Sequence, residues 1–181
     1  MTKAVLALLI VSAMSTSVME RARAQSKAPA AAAKAPATQV EANLAQLMRG
    51  TLYPESNVVF AAQDTNPEEV PHAKDPSMAT DPLASAYGKW QAVENNALAI
   101  AEVANLLTLP GRKCSNGLDV PVKNPDWAKF VQELRESGMT AYAAAQTKNQ
   151  DKMTDSAGVM TTACQNCHVR YREKKLADRC K

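Results

Sequence analysis

Cys164-Gln165-Asn166-Cys167-His168 places two thiols three residues apart and an imidazole directly after the second. Thiols at that spacing can add across the two vinyl groups of a haem, and the adjoining imidazole can reach the iron from the same side, which is the attachment pattern of c-type haem. On a helix these side chains share one face, because positions i, i+3 and i+4 are neighbours. The pattern predicts one covalent haem c, clipped against a helix by Cys164 and Cys167, with His168 as proximal ligand to its iron. Two other uses of the same residues fit less well. A redox dithiol of thioredoxin type lies early in a strand–helix unit, whereas 14 residues follow Cys167 here. Zinc needs a further ligand pair at short spacing, and the remaining candidates, Cys114, Cys180 and His72, are scattered.

The amino-terminus supports that chemistry independently. Lys3, the apolar run Ala4 to Met14 and the small-x-small site Ala22-Arg23-Ala24 make residues 1–24 an expected secretory signal peptide, with a periplasmic destination. That run of eleven residues is too short to span a bilayer. Glu20, Arg21 and Arg23 leave open a cut at another point, and an uncleaved anchor is the alternative. Removing residues 1–24 lowers the formal charge from +3 to +1, which gives no basis for binding nucleic acid or an anionic membrane. Residues 25–38 are rich in Ala, Pro, Lys and Gln and read as a disordered linker, so the folded domain is expected over 39–181. Once the haem has consumed Cys164 and Cys167, Cys114 and Cys180 remain as an even pair in an exported chain. A Cys114–Cys180 disulfide is expected, with two unpaired thiols or an intermolecular bond as the alternatives.

The elements that must position the motif are four helices. Val40, Leu44, Leu47, Met48 and Thr51 keep one helical face over residues 39–52, and Pro54 is expected to kink or interrupt that helix before it resumes through Val58, Val59 and Ala62. Residues 64–82, with four prolines, form a loop containing His72 and Met78. A second helix, about 82–109, carries Tyr87, Trp90, Val93, Ala97, Ile100, Ala104 and Leu107 inward and stops at Pro110-Gly111. Asn124-Pro125 opens a third, as cap and first helical residue. It buries Trp127, Phe130, Val131, Leu134, Ala141, Tyr142 and Ala145, while Gly138 marks a close approach to haem or to another helix. The fourth, about 150–174, buries Met153, Ala157, Met160, the haem motif and Tyr171. The fold class is therefore all-α, a four-helix bundle with the cofactor between facing helices.

A haem motif near the C-terminus, on the last of four helices and extended by Tyr171 and Arg172 as Cys-x-x-Cys-His-x-x-Tyr-Arg, resembles the class II c-type cytochromes, the cytochrome c′ group. The resemblance covers about residues 39–175. It implies an up-down-up-down bundle, His168 as proximal ligand, Arg172 beside the imidazole, and a distal haem face walled by the first helix. It also implies a homodimer through the first two helices. Low-spin members of that group take a methionine ligand from the first helix, which nominates Met48 as the iron's sixth ligand; a methionine that only packs against the porphyrin is the alternative. The long 64–82 loop, Pro54 and the two extra cysteines depart from the simplest members.

The sixth position decides the expected function. With methionine bound the protein is a periplasmic electron carrier, since external ligands are excluded and little rearranges with oxidation state. With that position open it is a gas-binding protein for NO or CO on the same fold. Enzyme chemistry ranks below both, because no acid–base constellation adjoins the motif. Trp90 and Trp127 read as core, His72 as a surface residue, and Met139, Met153 and Met160 as gap-filling core. Met160 precedes Cys164 by one turn on the same helix, so it cannot reach the opposite haem face.

Overall fold

In a computed structural model the described residues are 39–173 and Cys180. The expected signal peptide, its cleavage site and the linker lie outside them. The first helix starts at Leu44 rather than at residue 39. Asn43 and Gln46 close a reciprocal capping box, each backbone N–H donating to the other's side-chain oxygen at 2.9 Å, so the chain before Asn43, Val40 included, stays outside the helix. From there α1 (Leu44–Leu47), a π turn (Met48–Leu52) and α2 (Tyr53–Asp64) follow one another without a break. Pro54 does not interrupt this run. A proline ring inside an α-helix clashes with the carbonyl four residues back, and the wider π turn directly before Pro54 relieves that crowding, with Tyr53 N–H bonding to the Met48 carbonyl. The extra residue also rotates the face, so Leu52 is buried and Thr51 only half-buried.

The expected loop contains short 3₁₀ turns at Pro67–Glu69, Pro76–Met78 and Pro82–Ala84, each opened by a proline and capped by Asn66, Asp75 or Asp81. The second long helix therefore begins late: α3 spans Lys89–Val103, with a 3₁₀ extension at Ala104–Thr108. Its start is set by Gly88, where a Cβ would fall 2.3 Å from the Leu83 carbonyl oxygen. Tyr87, expected inside, precedes the helix and is 70% exposed. The third helix, α4 (Pro125–Gln146), starts where the Asn-Pro pair indicates, but the Asn124 side chain makes no capping bond. The last, α5 (Gln150–Cys167), passes into a second π turn, His168–Arg172. No β-strand occurs among the described residues, only an isolated bridge between Lys113 and Asp119. None of the described helices is long and apolar enough to cross a membrane.

The helices close into a ring: α2 packs on α3 and α5, and α4 packs on the same two. Val59, Val93, Ile100, Trp127, Met153 and Met160 are its most deeply buried side chains, and Trp90 joins them. Met139, expected in the core, is 45% exposed; it follows Gly138 by one residue, about 100° round the helix from the seam that Gly138 makes with α3. That seam is backbone against backbone. A Cβ at Gly138 would lie 2.9 Å from both Ala101 N and Ala97 O, so the close approach is to a helix. Arg112, buried and unmarked by any sequence pattern, donates to the carbonyls of Ala42 and Leu106 and ties the entry of α1 to the end of the α3 extension. The expected Cys114–Cys180 disulfide is formed, with Cα atoms 4.9 Å apart. Cys180 N–H donates to the Tyr171 carbonyl at 3.1 Å, which holds this point of the tail against the second π turn.

Two stability outcomes follow from this packing. Gly138→Ala should cost about 1–3 kcal/mol by overpacking, outweighing the gain of up to about 1 kcal/mol in helix propensity, and thermal unfolding would read it as a lower Tm. Replacing Cys114 and Cys180 by serine should cost about 4 kcal/mol in the chain-entropy treatment of a closed loop this long, the cysteines being 66 residues apart. Thiol titration of the unreduced, unfolded parent should find neither cysteine free.

Candidate haem site

The first-turn positions of the two π turns are Met48 and His168, the residues nominated from sequence as axial ligands. Both line one cavity of about 880 Å³, within the size range of cofactor sites. Cys164 and Cys167 line it from α5, respectively one turn and one residue ahead of His168. Leu44, Leu52 and Phe60 wall it from the first helical run, Ile100 from α3, and Trp127, Phe130 and Leu134 from α4. Arg49, Arg172 and Glu173 also reach it, and Cys180 borders it beyond them. All five nominated residues, Met48, Cys164, Cys167, His168 and Arg172, thus meet at one place. Met160 borders the same cavity from His168's own helix, whereas His72 does not reach it and donates from Nδ1 to the Ser85 carbonyl at 3.0 Å on the surface.

Burial sets the protonation of these groups. It lowers the pKa of the His168 imidazole below 6.5, helped by the Arg172 guanidinium and opposed by Glu173. A neutral imidazole has the free lone pair that a metal requires. Burial raises the Cys164 thiol against the pull of Arg172. It pushes Cys167 up to about 12, with Cys164, Asp126 and Glu133 adding to the effect. The donor set suits an iron already held by a macrocycle, because the protein then supplies only axial ligands. Among the described residues no three His, Cys, Asp or Glu side chains gather as a site for a bare ion. The two thiols and the imidazole on one helical face, before an apolar cavity, fit a covalently attached haem.

The helix that carries the motif is fastened to α4 on both sides of His168. Asn166 Nδ2 donates to Glu133 Oε2 at 3.1 Å. Arg170 Nε donates to Asp126 Oδ2 at 2.7 Å, and the Tyr171 hydroxyl donates to Asp126 Oδ1. The Tyr171 ring meets Trp127 edge-on at 5.1 Å and Phe130 at 6.2 Å. Asn124, freed from capping, points its amide at the Tyr171 hydroxyl, 3.4 Å away. Sequence reasoning missed Asp126, Arg49 and Phe130 as site residues. Asp126 has a local explanation as an acid in the first turn of α4, which hides its longer-range use.

In protein lacking haem, the Cys167 thiol stays protonated in the folded state between its ordinary 9.0 and about 12, while the unfolded chain loses that proton near 9.0. The folded state therefore binds more protons in that window, so the stability it contributes is full below pH 9 and is lost as pH rises toward 12. Alkylation at pH 8 should be roughly 100-fold or more slower for folded than for urea-unfolded apoprotein, and equal rates would contradict the burial. Against protein-family models, curated proteins and solved structures alike, the chain finds no match.

Proposed function

We propose that the protein is a periplasmic c-type cytochrome of the class II kind, an up-down-up-down bundle that carries electrons through one covalent haem. The observation that carries this reading is the convergence, on one apolar cavity, of Cys164, Cys167 and His168 from the last helix with Met48 from the first. Haem bound there supplies an iron that changes oxidation state by one electron. Cys164 and Cys167 would hold it by two thioether bonds, each made by adding S–H across a vinyl double bond. His168, whose pKa burial lowers, would supply a neutral ring nitrogen to the iron. Met48, across the cavity on the first helical run, would offer a neutral thioether to the iron. Trp127, Phe130 and Leu134 give the cavity an apolar wall on the α4 side. Arg172, on the turn after His168, places a guanidinium beside both the imidazole and Cys164.

The secretory pattern of residues 1–24 and the Cys114–Cys180 disulfide support an oxidising compartment. The partner in this reading is another redox protein, and nucleic acid has no part in it. The second reading is a gas-binding protein. Leu44 and Leu52 stand beside Met48 in the cavity wall and would line an apolar pocket for a diatomic gas if the thioether did not bind iron.

Produced in a host competent for c-type maturation, the protein should keep one haem through denaturation, seen by peroxidase staining and by intact mass. His168→Ala should spare that attachment and lose the low-spin spectrum. Met48→Ala should convert a low-spin spectrum to a high-spin one that takes up carbon monoxide readily. A parent protein that is already high-spin and binds the gas at once would replace electron carriage with gas binding.

A further inference from the structure

We infer that Asp126 is a positioning residue for the His168 ligand, holding the turn that carries it in π rather than α register. The inference rests on the haem reading of the site. In the second π turn the Glu173 N–H bonds to the His168 carbonyl at 2.9 Å, five residues back. Such a turn contains one residue more than an α turn and is seldom adopted without tertiary support. Here the side-chain support comes from one carboxylate, beside the Cys180 N–H that bonds to the Tyr171 carbonyl. Arg170 and Tyr171, two of the five residues in the turn, both donate to Asp126, which sits in the first turn of α4. The Arg170–Asp126 pair is 48% and 33% exposed, so as an isolated ion pair it adds little stability. Two bonds from successive residues to the same group instead fix rotation about the helix axis.

The consequence reaches the ligand through geometry. Closing the turn to α register would carry the residues after His168 about 100° round the axis. Tyr171 would leave the edges of Trp127 and Phe130, and Arg172 would leave the cavity that it shares with His168. With Asn166 held by Glu133 on the preceding turn, Asp126 completes a bracket around the imidazole. It touches neither haem nor iron in this reading and acts through Arg170 and Tyr171.

The test compares the holoprotein with Asp126→Ala, Asp126→Asn, Tyr171→Phe and the double variant Asp126→Asn/Tyr171→Phe. The readouts are haem retention, helix content by circular dichroism, the reduction potential, and the paramagnetically shifted haem-methyl resonances of the ferric form, whose spread follows the orientation of the imidazole plane. Expected are full haem retention and unchanged helix content, with altered methyl spread and a shifted potential in each single variant. The double variant should change no further than Asp126→Asn alone. A lowered Tm with methyl spread and potential both as in the parent would overturn the inference and leave Asp126 a structural tie. Should Asp126→Ala fail to fold, the equally sized Asp126→Asn decides the same comparison. A parent protein without covalent haem would instead bring down the cofactor reading, and it shows before any variant is made.

Discussion

The close seam between α3 and α4 sets the spacing on which the site depends. At Gly138 the two helices meet with almost no side chain between them, because the backbone of Ala97 and Ala101 occupies the place of a Cβ. Ala141, Ala144 and Ala145 are the buried residues of the C-terminal end of α4 that follow Gly138. In its N-terminal half Trp127, Phe130, Val131 and Leu134 face the cavity instead. One helix therefore grades from small to bulky residues along its length. Interiors pack densely, so α4 approaches α3 closely at Gly138, while its bulky residues border the cavity to which α5 presents Cys164, Cys167 and His168.

Burial at the cavity has opposite consequences for the two kinds of group nominated to hold haem. It favours the neutral imidazole of His168, which is the form that binds a metal. It also favours the neutral thiols of Cys164 and Cys167, which is the unreactive form. On the haem reading the thiols therefore add faster before the bundle closes than after, whereas the imidazole is ready as soon as it does.

Both π turns begin at residues nominated as axial ligands. Well under 1% of residues in soluble proteins adopt this form, and it gathers at functional sites. Local sequence explains part of the first, since Pro54 follows it and cannot tolerate an undistorted α turn ahead of it. The second has no proline. Its support is tertiary, from Asp126 on α4 and from the Cys180 N–H that bonds to the Tyr171 carbonyl. The two turns share a physical effect: an added residue changes which side chains face inward over the next turn, as Leu52 in place of Thr51 shows.

The Cys-x-x-Cys-His pattern was legible because it is local: two thiols and an imidazole within five residues need only a helix to share a face. Helical periodicity likewise revealed the buried Trp127, Met153 and Met160, and the Asn124-Pro125 start of α4 lay within two residues. The Cys114–Cys180 bridge followed from elimination, since the motif uses the other two cysteines. What tertiary structure alone decided depends on partners far along the chain. Gly88 starts α3 because of the Leu83 carbonyl, and Gly138 meets α3 through Ala97 and Ala101. Met139 turns outward because Gly138 takes the seam, and Asp126 finds Tyr171 across 45 residues. A periodic pattern says that a side chain is inward or outward on its own helix; which atom it meets, and whether an extra residue enters the turn, is settled only when a second helix arrives.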